Sequence, residues 1–146
     1  MSARRCTSRP SSRNASDGRP GSAYCGLMPR LLPTPSVITV PGGKVIHEHV
    51  GRVATGNDTV SVAHMVAPAG WSEPAQRPEF DEVTLVLRGI VLVEHDNGVA
   101  SVAAGQSIVT EAGERVRYSC GPDGAEYVAV CLPAFSPETV NREDDE

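Results

Sequence analysis

Long hydrophobic runs are missing from this chain of 146 residues. The longest apolar stretch, Val83–Val93, is interrupted by Thr84, Arg88 and Gly89, whereas a membrane-spanning helix needs roughly 20 apolar residues. A helical period is also absent, because apolar residues alternate with polar ones along most of the chain. We therefore expect a soluble protein whose core is formed by strands.

Closely spaced cysteines are lacking as well. The four cysteines occupy positions 6, 25, 120 and 131, and no two of them have the two-residue spacing of a zinc or redox motif. Buried free thiols are the simplest interpretation, and they persist in a reducing compartment. The cysteine pattern therefore predicts a cytoplasmic protein.

A basic surface is missing from most of the chain, although the charge is unevenly distributed. Residues 1–30 contain six Arg and one Asp, a formal charge of +5, whereas the remainder contains seven basic and seventeen acidic residues, a charge of -10. Nucleic acids and anionic membrane surfaces repel such an acidic body. The charge pattern disfavours both as partners and favours a small molecule or another protein.

The N-terminal residues differ in composition from the rest of the chain. Residues 1–27 are rich in Ser, Arg, Gly and Pro and have almost nothing apolar to bury, which is typical of disorder. Met28 directly precedes the patterned sequence, so we interpret residues 1–30 as a disordered tail or an extension from a misassigned start codon. Residues 31–140 then form one domain, and residues 141–146 form an acidic, solvated tail.

Short strands and tight turns make up the predicted domain. Asn97-Gly98 suits a two-residue hairpin turn, and Gly121-Pro122-Asp123-Gly124 is a further turn signal. Ser136-Pro137-Glu138 could support one helical turn at most. Strands recur about every 8–12 residues, which predicts an all-β sandwich or barrel. The predicted strands are Val37–Val40, Val45–Val50, Thr59–Ala67, Glu82–Arg88, Ile90–His95, Val99–Val102, Gln106–Thr110, Arg115–Cys120 and Ala125–Leu132.

Glycine and glutamate spacing in the middle of the domain resembles the first motif of the cupin family. That motif is a Gly, five residues, His-x-His, three or four residues, a Glu, six residues and a Gly, and Gly70, Glu82 and Gly89 match its outer positions. Residues 70–89 look like a subgroup of small bacterial cupins labelled as similar to ethanolamine-utilisation protein Q.

Gly105 and Gly113 match the frame of the second cupin motif, so the resemblance covers residues 37–134. It implies an RmlC-like jelly-roll barrel or sandwich of about nine to ten short strands. It also implies a homodimer, because small cupins commonly pair. The apolar side chains of Leu85 and Leu87 on the predicted outer face support that expectation, because such a face needs covering.

The metal-binding histidines of the family are missing. Gln76 and Pro78 stand at the histidine positions of the first motif, Val116 stands at that of the second, and only Glu82 is retained. Because proline and valine have no donor and a glutamine oxygen is a weak ligand, a site of three His and one Glu is excluded. His47-Glu48-His49 has the His-x-His pattern outside the motif, and we interpret it as a solvated face. No cofactor is predicted.

Carboxylates take the place of these histidines. The resemblance implies that Glu82 faces into the barrel, where burial and neighbouring carboxylates raise the pKa of such a group towards the range of acid–base catalysis. Tyr118 shares the inward face of Val116 and could donate a hydrogen bond, so Glu82 and Tyr118 are the candidate catalytic residues. The candidate substrate-binding residues are Trp71 (as pocket floor), Glu73, Gln76, Val116 and His64 (as an inward-facing residue of an early strand).

Three functions stay open. The first is a metal-independent cupin that binds a small molecule and carries out isomerisation, dehydration or cyclisation. The second is a non-catalytic binding or assembly module of a catabolic pathway. The third is a metallocupin with the non-standard ligands Glu73, Gln76, Glu82 and His64. On the assumption that no cation offsets the carboxylates, we expect the ligand to be neutral or cationic.

Overall fold

A computed structural model describes residues 28–144. The strands described here all belong to one compact unit that begins at Leu32. The prediction of disorder for residues 1–27 lies outside the described residues. Within the described part, no helix has the length and apolar character needed to cross a membrane.

Seven antiparallel strands form one curved sheet, which confirms the predicted all-β class. The strands are β1 (Ser36–Thr39), β2 (Val45–Val50), β3 (Ser61–Ala67), β4 (Asp81–His95), β5 (Gly98–Ala103), β6 (Ser107–Thr110) and β7 (Val116–Leu132). They follow the order β1-β2-β3-β7-β4-β5 in the sheet, and β6 pairs with the first half of β4.

Nine predicted strands become seven because two pairs of them are continuous. Residues 82–88 and 90–95 both belong to β4, and residues 115–120 and 125–132 lie almost entirely on β7. The two long strands pair with each other along most of their length, with register shifts on either side of Gly89. Such bulges absorb extra residues without ending a strand, so the turn signal at 121–124 does not divide β7.

Alternation gives the sheet an inner and an outer face. On β4, Glu82 and Thr84 are buried on the inner face, whereas Leu85 is 42% exposed on the outer face, as the alternation predicts. One end of the inner face is filled by a packed apolar core, and the other end surrounds a cavity. The core consists of Ala67, Trp71, Val86, Val91, Val93, Val102, Val116, Tyr118, Cys120, Ala125, Tyr127 and Ala129.

The C-terminal segment, residues 135–143, lines this cavity and pairs with the loop before β4. The backbone N–H of Glu79 donates to Thr139 O at 2.9 Å, and that of Glu143 donates to Ala75 O at 2.7 Å. Residues 141–143 of the predicted solvated tail are exposed, but their backbone has partners in the loop. Residues 137–139 form a turn and not the suggested turn of helix.

Candidate functional site

A cavity of about 500 Å³ occupies the open half of the barrel. Strands β1, β2, β3, β4 and β7 and the C-terminal segment supply its walls. The apolar part of the wall includes Ile38, Val40, Ile46, Ala63, Met65, Ala129, Phe135 and Val140. The polar group in which the predicted site residues lie consists of Lys44, Glu73, Gln76, Glu82 and Tyr118.

Glu82 is the buried acid of this cavity, with 8% of its surface exposed. Burial raises the pKa of its carboxyl group to about 7, and the negative charge of Glu73 adds to this effect. The positive charge of Lys44 and a hydrogen bond from Thr84 Oγ1, at 3.3 Å from Glu82 Oε1, act in the opposite direction. Glu82 can therefore both accept and release a proton near neutral pH.

Tyr118 lies on the inner face of β7, where its hydroxyl is 3.0 Å from Thr110 Oγ1. Burial raises the pKa of the Tyr118 hydroxyl above its ordinary value, and the charge of Glu82 contributes in the same direction. The phenol therefore stays protonated. Chemically, Tyr118 can hold a hydrogen bond to a ligand but cannot serve as a base at neutral pH.

Glu73 is flanked by two cations that were not predicted from the sequence. Lys44 Nζ lies 3.4 Å from Glu73 Oε2, and an Arg142 nitrogen lies 3.9 Å from the same oxygen. Lys44 is 6% exposed and its ammonium lies 4.2 Å from the centre of the Trp71 ring, within cation–π range. The assumption that no cation offsets the carboxylates is therefore wrong.

One sequence feature could have drawn attention to Lys44, because it is the sole lysine of the chain. It follows the turn residues Gly42 and Gly43. Lys44, Ile46 and Glu48 alternate with their neighbours, so their side chains point to the same side, and all three line the cavity. Arg142 has no comparable signal. Its position depends on a pairing between the chain end and Gln76 across the mouth of the barrel.

Gln76 has its backbone fixed and its side-chain oxygen free. Its N–H donates to Val116 O at 2.8 Å, and its own carbonyl accepts from the Val116 N–H at 2.9 Å. The residue is 4% exposed, yet its Oε1 atom is buried without a hydrogen-bond partner. A buried acceptor without a partner is costly, so a ligand donor placed there would be stabilising.

Two predicted residues lie in the core and not on the cavity wall. Trp71 packs in the apolar core, and its role in the site is indirect, since its ring supports Lys44. Val116 is 1% exposed in the same core. Both side chains are on the inner face as expected, but the part of the barrel they occupy is filled.

His64 lies on the outer face of β3, so the expectation that it projects into the barrel is wrong. The inner positions of β3 are Ser61, Ala63 and Met65, which line the cavity. His64 Nε2 instead lies 3.4 Å from Glu126 Oε2, and the ring stacks on His47 with 5.7 Å between centroids.

The interpretation of residues 47–49 as a solvated face is also only partly right. His47 is half-buried against His64. The Glu48 carboxylate is buried and accepts hydrogen bonds from the Val53 and Ala54 N–H groups at 3.0 and 2.7 Å. Its neighbour His49 is exposed.

These residues do not fit a cupin metal site. The non-standard set of Glu73, Gln76, Glu82 and His64 is not assembled, because His64 lies on the opposite face of the sheet. Across residues 28–144, no group of three or more His, Cys, Asp or Glu side chains is arranged to hold a metal ion. At the family's ligand positions, Gln76 brings one unpartnered oxygen, and the Lys44 ammonium pairs with Glu73 in the same cavity.

No protein-family model matches this sequence. Among curated proteins, the chain is 47% identical over 102 residues to the endoribonuclease YbeY of Myxococcus xanthus. The match covers 69% of this chain and 35% of that protein, so the chain spans about a third of the length of this relative.

Solved structures similar to this chain have the cupin fold. A Streptomyces PAC13 variant with uridine gives a TM-score of 0.64 at 12% identity, covering 78% of this chain and 88% of that one. A Bacillus subtilis oxalate decarboxylase variant gives 0.61 at 16% identity, covering 74% and 30%. A putative EutQ from Salmonella typhimurium gives 0.52 at 19% identity, covering 65% and 73%. The chain therefore has the cupin fold that the motif spacing indicates.

Proposed function

We propose that this protein binds a small, neutral organic molecule inside its barrel and transfers protons to and from it through Glu82. The observation that carries the proposal is a buried carboxyl group whose pKa is raised to about 7, on the wall of a cavity of about 500 Å³. General acid–base catalysis is most efficient when the catalytic pKa lies near the working pH.

Each polar residue of the site has a distinct proposed role. Glu82 is the acid and base, and Tyr118, held by Thr110, orients the ligand through its hydroxyl group. Gln76 and Glu73 bind the ligand, and Lys44 fixes the position of Glu73. Isomerisation, dehydration and cyclisation all need this kind of proton transfer and no cofactor.

The charge of the cavity favours a neutral ligand. Lys44 and Arg142 both contact Glu73, the carboxylates of Glu48 and Glu138 have hydrogen-bond donors within the protein, and Glu82 is partly protonated near neutral pH. A strongly charged ligand would lose its hydration without gaining a matching counter-charge. The PAC13 variant, a protein of this fold, was solved with uridine, which is a neutral molecule, and this is consistent with the choice.

Native mass spectrometry of the purified protein tests the proposal. We expect wild type to carry a small molecule that is released on unfolding, and Glu82→Gln to accumulate the unconverted substrate. Glu79→Gln is the matched control, because Glu79 is an exposed glutamate near the cavity but not on its wall. A bare mass for both wild type and Glu82→Gln would contradict the proposal.

We also propose that the protein forms a homodimer through its outer face. Val50, Val62, Val130, Val83 and Val109 are successive cross-strand neighbours, so one apolar row crosses five strands. A second copy presents the same row, and two such sheet faces can pack against each other. Light scattering after gel filtration is expected to give the dimer mass for wild type and the monomer mass for Val83→Lys.

A cytoplasmic location is a further proposal. Cys120 and Cys131 are both free and buried, and reducing compartments keep thiols in this state. Fractionation of the host cell, with the protein recovered only in the cytoplasmic fraction, would support it.

A second candidate function is a non-catalytic module that works with an endoribonuclease. An aligned stretch of 102 residues in a chain of 146 must include β3 and β4, and hence the segment with Glu73, Gln76 and Glu82. About a third of the Myxococcus protein therefore corresponds to this cavity-bearing domain. The similarity in fold to a putative ethanolamine utilization protein Q is consistent with a module of a catabolic pathway.

Co-expression with a separate YbeY-type endoribonuclease from the same organism tests the second candidate. A stable complex in gel filtration, lost when the ribonuclease is replaced by an unrelated protein of similar charge, would support it. If no complex forms and Glu82→Gln accumulates a bound substrate, the acid–base function is favoured instead.

A further inference from the structure

The walls of the cavity differ sharply in what they offer a ligand. Ile38 of β1, Val40 directly after it, Ile46 of β2 and Met65 of β3 present hydrocarbon. The polar group is limited to a few side chains. An apolar ligand body would replace water against the hydrocarbon walls, at a gain of about 25 cal/mol per Å² buried.

Several polar wall residues already have partners within the protein. Glu48 accepts hydrogen bonds from Val53 and Ala54, Ser61 Oγ accepts one from the Phe135 N–H at 2.9 Å, and Tyr118 is paired with Thr110. These groups hold the barrel and its loops together. They leave only part of the polar group available to a ligand.

Gln76 and Lys44 are two polar groups of the cavity wall with unused hydrogen-bonding capacity. Gln76 Oε1 is a buried acceptor with no partner, on a residue whose backbone is fixed by Val116. The Lys44 ammonium has three donors, and its polar contact with Glu73 is long, at 3.4 Å. Because both residues line the same cavity, a complementary head group would carry a donor for Gln76 and an acceptor for Lys44.

We propose that the ligand is amphipathic, with an apolar body in the β1–β3 half of the cavity and a neutral head group that places an N–H or O–H donor beside a carbonyl oxygen. Carboxamides and hydroxy-carbonyl compounds have this pattern. The donor meets Gln76 Oε1, and the carbonyl oxygen accepts from Lys44. This inference rests on the proposed function only in that both use the same cavity.

Three small probes test the inference by NMR titration of the wild-type protein. Benzamide has the full pattern, acetophenone replaces its NH₂ group by a methyl group, and acetamide lacks the apolar body. We expect benzamide to bind about 10-fold more tightly than either, because each of the other two lacks one element of recognition. Equal or tighter binding of acetophenone, or no binding of benzamide at 50 mM (roughly the upper limit for a weak fragment), would overturn the inference.

Hydroxyacetone and butanone extend the comparison to the second head group. They differ in whether a hydroxyl donor lies next to the carbonyl, so preference for hydroxyacetone would assign the hydroxy-carbonyl class. Preference for benzamide alone would assign the carboxamide class. Both results support the shared donor–acceptor pattern.

Two variants assign the preference to Gln76. In Gln76→Met, which removes the acceptor but keeps the length of the side chain, benzamide and acetophenone should bind equally. Ile38→Ala is the control, and it should weaken both probes by a similar factor while keeping their ratio. An unchanged ratio in Gln76→Met would contradict the role of Gln76, and the wild-type comparison remains informative if that variant does not fold.

The test of the ligand class can fail or succeed independently of the test of the proposed acid–base function. Glu82→Gln should keep the benzamide preference, because Gln76 and Lys44 are unchanged. If the preference is found but Glu82→Gln has no effect on a bound metabolite, the ligand class stands and the acid–base role fails.

Discussion

The packed half and the cavity half of the barrel are built from the same strands, yet they have opposite interiors. Strand β4 contributes Val91 and Val93 to the packed half, where each is at most 1% exposed, and it contributes Glu82 to the cavity half. Strand β7 likewise contributes Val116 to one half and Cys131 to the other. The alternation of a strand decides which side chains face inward, but not whether the space before them is filled.

Side-chain size explains where the packed core ends and the cavity begins. Two cross-strand pairs at the cavity end, Ser61 with Cys131 and Ala63 with Ala129, consist of small residues. The packed end is filled by Trp71 and by branched side chains such as Val86. Small inner residues on neighbouring strands leave volume for a ligand, whereas large ones close it.

The largest expected difference between the halves concerns Trp71. Trp71→Ala should lower the free energy of unfolding by about 3–5 kcal/mol, because it leaves a large void in close-packed core. Ile38→Ala, on the cavity wall, should cost only about 1 kcal/mol, because its side chain already borders empty space. Urea denaturation measures both, and equal losses would show that the cavity half is packed as tightly as the core.

A smaller effect, about 3 kcal/mol, is expected from the pH dependence of Glu82. The folded state raises the pKa from 4.5 to about 7, so it binds more protons than the unfolded state between these values. The protein is therefore most stable with respect to this group below pH 4.5, and that stability is lost as the pH rises through 7. The variant Glu82→Gln should not show this loss of stability. At pH 8.5 it should therefore unfold at a higher urea concentration than wild type.

The control for this prediction is Glu79→Gln, which should keep the wild-type pH dependence. At pH 4.5 the stabilities of Glu82→Gln and wild type should converge, because wild-type Glu82 is then protonated. Between pH 5 and 8.5, the wild type should lose stability relative to Glu82→Gln. If it does not, Glu82 is not held neutral in the cavity half.

Local patterns predicted much of the fold. Alternation correctly put Glu82 and Leu85 on opposite faces of β4 and Tyr118 on the same face of β7 as Val116, and the cupin resemblance indicated which of these faces is the inner one. The spacing of Gly70, Glu82 and Gly89 identified the fold itself. These features depend on neighbours a few residues apart, which a sequence shows directly.

His64 was misplaced because the outer face of β3 is the more apolar one. The valines of that strand lie on the outer face, whereas the inner face carries Ser61, Ala63 and Met65 around the cavity. A rule that assigns the apolar side to the interior therefore selects the wrong side of a strand that borders a cavity.

Lys44 and Arg142 were missed for a different reason. They reach Glu73 from positions 29 residues before it and near the chain end, through contacts that only the closed barrel creates. The net charge of a segment does not reveal such pairs. The electrostatics of the cavity could therefore not be predicted from the carboxylates alone.

Glycine substitutions probe the point on β4 where the two halves meet. Gly89 has a φ of 75°, and an added Cβ would lie 2.1 Å from Gly124 O, so Gly89→Ala should cost about 2–3 kcal/mol. Gly113 has a similar φ of 89° with open space around it, so Gly113→Ala should cost only about 1 kcal/mol. Thermal unfolding of both variants isolates the steric contribution, and equal losses would show that close strand contact at Gly89 is unimportant.

The smallest expected effect concerns the C-terminal segment, which is part of the cavity wall but not of the core. Arg115 Nε and Nη2 contact the Glu143 carboxylate at 2.8 and 2.9 Å, and solvent screening means that this exposed pair should contribute little to global stability. Arg115→Gln should nevertheless accelerate amide hydrogen exchange at residues 139–143, because local opening there needs no unfolding of the barrel. Arg88→Gln, which breaks a comparable pair with Glu126 elsewhere on the sheet, should leave this exchange unchanged. If both variants exchange like wild type, the backbone pairing with residues 75–79 alone holds the segment, and the mouth of the cavity is as rigid as the packed half.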